Sequence, residues 1–451
     1  MTFTIKKIAA TAGIVCAGAV FHMQAAWAAL PIAHWVRQSG AQVYFVESPT
    51  IPMVDVQIDF DAGSRRDPAP QAGLADAVAD MADKGVRESG AGPALDENAL
   101  GEAWADLGAS FGASADGDRM SFALRSLTDP ALLDRAAQLA ARQLGEPAFP
   151  DAVWLRERER IAAALKEART RPATVASQAF AEAVYGGHPY GYQTTPETLA
   201  RIATADMRAA HARLILACRA KVSIVGALTR TQADGLAATL LSRLPQPADG
   251  ACPALPAVAE VPPLAAARDI RIPFDAAQAQ VLIGQPGYKR SDPDFFALLV
   301  GNYTLGGGGF VSRLTEEVRE KRGLSYSVYS YFAPGLHAGA FMVGLQTRPD
   351  QAAQAVEVAR GVVARFVADG PSEAELRAAK DNLVGGFALR IDSNRKLLDN
   401  VANIAWNGLP LDYLDHWTQR VEQVTAADVR AAFARKLQPQ KMVTVVVGGQ
   451  P

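Results

Sequence analysis

The chain has 451 residues, of which 49% are hydrophobic, with 45 basic side chains against 47 acidic. That balance excludes a disordered chain, a collagen and a coiled-coil rod. A formal charge of −2 and 7% aromatics supply neither the basic field nor the stacking surface of a nucleic-acid binder. The length predicts two or more domains, each able to bury its own core.

The first element is not part of that fold. Lys6 and Lys7 precede an apolar run over residues 8–20, and Ala26-Trp27-Ala28 follows as a small-x-small cleavage site. This pattern predicts a secretory signal peptide over residues 1–28. The run is too short for a membrane span and breaks at Phe21-His22-Met23-Gln24. No later segment reaches spanning length without charges, so the expected mature protein is exported, periplasmic and free of a membrane span.

Residues 54–60 alternate as a half-buried strand ending at Gly63. Beyond Gly73-Leu74-Ala75 comes a helical stretch with Asp76, Ala79 and Asp80. Asp76 and Asp80 share one face, which reads either as a pair of ligands for an ion or, preferred here, as a solvated acidic stripe. Residues 151–169 are expected helical. His188-Pro189-Tyr190-Gly191 is expected to turn, with His188 giving a hydrogen bond rather than catalysis.

Residues 204–213 form a capped helix leading to a strand at 222–226. A Pro- and Ala-rich stretch at 245–263 has linker composition. Cys218 and Cys252 are the two cysteines that remain after export. One disulfide is open to them, but a chain of this size does not need the staple and the expectation is two unpaired thiols.

After the linker the order starts again. Residues 280–284 read as a strand before Gly287, and residues 371–392 as helix. Residues 425–435 repeat the 204–213 helix and lead to a strand at 443–448. The interval from Asp206 to Gly226 equals that from Asp428 to Gly448. The reading is therefore two copies of one α+β domain, over 29–244 and 264–451, joined by the 245–263 linker.

Three strings carry a family resemblance: Ala62-Gly63-Ser64-Arg65 with Gly73-Leu74-Ala75, Leu305-Gly306-Gly307-Gly308-Gly309-Phe310-Val311-Ser312-Arg313-Leu314, and Arg319 seven residues before Tyr326. Together they resemble the pitrilysin/insulinase-type (inverzincin) zinc peptidases over nearly the whole mature chain. The resemblance implies two homologous domains, each a mostly antiparallel sheet with helices packed on it, forming a half-clamshell. In that family Gly-Leu-Ala is followed by His-x-x-Glu-His, whose imidazoles bind zinc and whose Glu activates water. Here both imidazole positions hold carboxylates, Asp76 and Asp80, and the base position holds Ala79. A third ligand would fall near Glu157, Glu159 or Glu167, with Ala164 or Lys166 aligning about as well, and no zinc is expected on this chain.

The second half keeps what the first has lost. By resemblance, Arg319 and Tyr326 contact the substrate backbone and the reacting carbonyl, and Gly306, Gly307, Gly308 and Gly309 form the substrate-binding loop. A guanidinium and a phenol are donors suited to holding a peptide and a developing oxyanion. The resemblance thus implies a catalytically incomplete subunit, inactive alone. Its expected partner is a homologous chain with His-x-x-Glu-His that holds the zinc and cleaves peptides. The rival expectation is a non-enzymatic peptide-binding or scaffold protein of the same fold.

Overall fold

The computed structural model describes residues 31–246 and 251–449. The signal segment 1–28 lies outside the described residues, as do positions 247–250 of the linker.

The first half is built on a six-stranded sheet. In spatial order its strands are Ala33–Val36, Gln42–Glu47, Lys221–Gly226, Met53–Phe60, Met120–Leu127 and Ser110–Ala115. Only the Gln42–Glu47 and Lys221–Gly226 pair is parallel. The second half repeats the last five places in the order Arg268–Ile272, Val443–Val447, Ala279–Pro286, Ala340–Thr347 and Val328–Phe332. Its one parallel pair is again the first. The fold is α+β, two copies of one mostly antiparallel sheet with helices on it.

The central strands, Met53–Phe60 and Ala279–Pro286, are buried along nearly their whole length. A strand in that position has both faces covered. One face of each sheet packs on helices of its own half. The other face is covered by a helix from the opposite half. Pro172–Tyr185, with Ala176, Phe180, Ala183 and Val184 on one stripe, lies on the Ala279–Pro286 and Val443–Val447 strands. In return Asn394–Asn407 lies on the Lys221–Gly226 and Met53–Phe60 strands, its Leu397, Leu398 and Val401 sharing one core cluster with Tyr44, Val46 and Val225. The Lys221 ammonium donates to the carbonyls of Ala405 (2.9 Å) and Trp406 (3.0 Å), closing the end of the exchanged helix.

Cys218 and Cys252 are joined in a disulfide with Cα atoms 5.8 Å apart, which corrects the expectation of unpaired thiols. The reason is the path of the linker. It returns across the first half, where Arg219 donates to the Pro253 carbonyl at 2.6 Å and His188 Nε2 lies 3.0 Å from the Ala259 carbonyl. Sequence separation gave no sign of that return.

Candidate functional site

The short helix Leu74–Met81 packs against the outermost strand Ser110–Ala115. Its entry is fixed by two side-chain bonds: Asp67 accepts from the Gly73 and Ala75 N–H groups, each at 3.0 Å. Burial pushes the Asp67 carboxyl up to about 7, against the pull of those donors. Gly73 sits at φ 100°, a conformation that favours glycine. Leu74, Ala75, Ala77, Val78, Ala79 and Met81 are all buried, so the helix is apolar except along one stripe. Asp76 and Asp80 form that stripe and are exposed.

Ala79, where the resemblance would set a base, is 3% exposed and belongs to the core. Asp76 and Asp80 are held above the ordinary carboxylate range, first by desolvation and then by neighbouring charge. Asp76 feels Asp80 and Asp116, while Arg160 pulls Asp80 the other way. Of the third-ligand candidates, Glu157 is close enough to this stripe to perturb Asp80. It is already committed: Arg160 Nε donates to it at 2.7 Å and Arg156 at 3.0 Å, and the Arg160 guanidinium holds its carboxyl below the usual range. Among the described residues no three His, Cys, Asp or Glu side chains converge as metal ligands. A buried methyl, two solvent-facing carboxylates and a glutamate locked to two arginines do not fit a zinc ion.

In the second half the corresponding place, between the first strand and the outermost one, holds the helix Phe295–Asn302 and the glycine loop. Residues Tyr303–Gly307 and Thr315–Glu320 are wide, π-type turns, a geometry concentrated at functional sites. A side chain at Gly306 would stand 2.5 Å from the Ser330 backbone nitrogen. At Gly307 it would meet the Asn302 amide at 2.8 Å, and at Gly308 the Tyr303 carbonyl at 2.7 Å. These three glycines are seated on the protein. Asn302 also donates to the Ser330 carbonyl at 3.0 Å, closing the outer edge of the Val328–Phe332 strand at that residue. Gly309 differs, with φ 61° and open space around its Cα.

Between loop and strand runs a groove of about 680 Å³ walled by Tyr288, Phe295, Tyr329, Tyr331 and Phe332. Phe310, Val311 and Tyr326 stand out beside it, Tyr326 being 85% exposed. Among the described residues the Tyr326 hydroxyl has no hydrogen-bond partner. Arg319 closes the wide turn, its Nε 3.2 Å from Glu320 and its guanidinium over the Phe310 ring. The structure thus gathers Arg319, Tyr326 and the glycine loop on the second half. It keeps Asp76, Ala79 and Asp80 on the first, with no hydrogen bond, ion pair or ring contact joining the two groups among the described residues.

Sequence reasoning missed the polar clasp between the halves. Asp118 Oδ1 accepts from Tyr190 (2.6 Å) and Arg65 (3.0 Å), and its Oδ2 accepts from the Leu336 N–H (2.8 Å). Glu260 of the linker accepts from the Ala338 N–H at 2.9 Å. His188 sits in the expected turn, its Nδ1 accepting from the Tyr190 N–H at 3.1 Å, and burial lowers its proton affinity. The only signal was the His-Pro-Tyr-Gly string, whose Tyr carries the contact. Among the described residues no helix is long and apolar enough to cross a membrane.

Comparison with known proteins agrees with this geometry. The family described as "Insulinase (Peptidase family M16)" matches residues 42–197, and "Peptidase M16 inactive domain" matches residues 201–383. A crystal structure of a peptidase M16 inactive domain from Pseudomonas fluorescens superposes with a TM-score of 0.86 at 32% identity, covering 94% of this chain and 98% of that one. An uncharacterized zinc protease of Mycobacterium leprae is 34% identical over 174 residues, 39% of each chain, so the match spans about two fifths of that relative's length. A non-peptidase homolog of Helicobacter pylori is 24% identical over 408 residues, 87% of this chain and 88% of its own. The chain belongs to the M16, insulinase-type peptidase family and carries its two-domain α+β fold.

Proposed function

We propose that this chain is the non-zinc subunit of a two-chain M16 peptidase, exported to the periplasm. It binds peptide and presents Arg319 and Tyr326 to a homologous partner that holds the zinc. The observation that carries this reading is the contrast between the two candidate sites. At Asp76, Ala79 and Asp80 the chain has packed its base position into the core. At Arg319 and Tyr326 it keeps a half-buried cation and an exposed phenol beside an aromatic groove, the phenol without a hydrogen-bond partner among the described residues. An exposed apolar surface of that kind marks an interaction site. A lone folded chain gains nothing by leaving Tyr326 85% exposed.

In this reading the peptide lies extended. The outermost strand Ser110–Ala115 carries only Ser, Phe, Gly and Ala, with neither the Pro nor the Lys that guards an edge against strand addition. The groove beside the glycine loop takes a large apolar side chain of the peptide. Arg319 holds a backbone carbonyl, and the Tyr326 hydroxyl donates to the oxygen on which charge develops. The disulfide supports export, since such bonds persist in oxidising compartments.

The test is co-expression with an exported homologue that bears His-x-x-Glu-His. A 1:1 complex by light scattering, with peptidase activity present only in the mixture, is the expected result. A chain that stays monomeric beside every such homologue, yet still captures unfolded peptide, would replace this reading with the peptide-holding one.

A further inference from the structure

Phe310 follows the four glycines and is 72% exposed, in reach of an apolar groove it does not enter. Leaving a phenylalanine in water forgoes the stabilisation that burial would bring. What the ring does touch is Arg319: the guanidinium carbon lies 4.7 Å from the ring centroid. That is within the range at which a ring face attracts a cation. Among the described residues the other group on the guanidinium is the carboxylate of Glu320, 3.2 Å from Nε and itself more than half exposed.

The loop explains how the ring arrives there. Gly306, Gly307 and Gly308 lie against Ser330, Asn302 and Tyr303, with no room for a side chain at any of the three. Gly309 then turns the chain outward at φ 61°, and the next side chain passes under Arg319. The glycines line the groove with backbone alone, and the side chain that the loop carries to Arg319 is the Phe310 ring. We propose that Phe310 is a positioning residue, the platform that holds the Arg319 guanidinium flat and aimed at the bound peptide. The inference rests on the reading of Arg319 as a peptide donor and assigns the loop its means of action.

The experiment is a titration of the whole mature chain, disulfide intact, against fluorescein-labelled α-lactalbumin that has been reduced and carboxymethylated so that it stays unfolded. Binding is read by anisotropy. Phe310→Leu keeps apolar volume and removes the ring, and it is expected to weaken binding by roughly two- to fivefold, the size of an exposed cation–ring contact. Phe310→Tyr is expected to bind like the parent. In the Arg319→Ala background, Phe310→Leu is expected to add nothing. Thermal midpoints check that each variant is folded.

If Arg319→Ala weakens binding while Phe310→Leu does not, or if the two losses add in full, the positioning role is wrong and the reading of Arg319 stands. If Arg319→Ala leaves the affinity unchanged, or the parent does not bind this probe, both fall together.

Discussion

Ala79, which the resemblance sets at the family's base position, is at the scale of one residue a packing residue. Its methyl lies in the core of the first half, so Ala79→Glu would place a carboxylate where no donor awaits it. Restoring the motif with Asp76→His, Ala79→Glu and Asp80→His together is expected to lower stability by at least about 2 kcal/mol. It is also expected to yield no stoichiometric zinc, because Glu157 remains tied to Arg156 and Arg160. Urea denaturation and metal analysis after dialysis check both outcomes, and one tightly held zinc per chain would show that the site had needed only its ligands.

Asp67 supplies a test by pH. Its carboxyl is raised from 3.8 to about 7 by burial, so the folded state holds a proton that the unfolded state has lost between those values. Stability from this group is greatest below about pH 4, falls as pH rises through the interval, and levels off above about 7. The advantage of the parent over Asp67→Asn is therefore expected to shrink across pH 4–7, by several kcal/mol at most, since each tenfold change in proton affinity is worth about 1.4 kcal/mol. Thermal midpoints at several pH values read the difference. An advantage that grows with pH would mean that the Gly73 and Ala75 donors outweigh burial.

At the scale of elements, the glycine loop separates two reasons for glycine. Gly306→Ala drives a Cβ to within 2.5 Å of the Ser330 backbone nitrogen, an overpacking that costs about 1–3 kcal/mol. Gly309→Ala meets open space and bears only the cost of a left-handed backbone, about 1 kcal/mol. Gly306→Ala is thus expected to be the more damaging of the two in denaturant titration. Equal costs would mean that the loop shifts away from the strand.

The disulfide acts on the linker in the same range. Closing Cys218 to Cys252, 34 residues apart, restricts the unfolded chain by about 3–4 kcal/mol in the chain-entropy account. Cys218→Ser with Cys252→Ser, or reduction, is expected to lower the thermal midpoint measurably. An unchanged midpoint would mean that the linker is held by its hydrogen bonds alone.

These elements also mark what the sequence made legible. The Asp206–Gly226 and Asp428–Gly448 units were readable because cap, helix and strand each leave a local pattern. They fold as Thr204–Leu214 with Lys221–Gly226 and as Ala426–Lys436 with Val443–Val447. The helix Pro172–Tyr185 was not read from the sequence, and its apolar stripe would tell only that a face is covered. Nothing local states that its sheet belongs to the other half. The same holds for Asp118, an ordinary acidic residue in sequence, which three elements use as their common acceptor.

For the whole molecule, the exchange of Pro172–Tyr185 and Asn394–Asn407 ties the halves into one body, so the two candidate sites are carried together. One site is closed by packing, by the Glu157 ion pairs and by a missing base. The other is open, with Tyr326 exposed and its hydroxyl without a hydrogen-bond partner among the described residues. That asymmetry is what a division of labour between two chains requires, and an inert scaffold has no need of its open half.

The most direct measurement is the steady-state turnover of an unfolded peptide by the reconstituted pair, comparing the parent with Tyr326→Phe. The substitution removes one hydroxyl that has no partner among the described residues, so folding and pairing are expected to stay as they were. If the hydroxyl meets the developing oxyanion, kcat falls by roughly 10²–10³. A pair whose kcat and peptide affinity survive both Tyr326→Phe and Arg319→Ala would contradict the account, leaving those two side chains as surface of a peptide-holding protein.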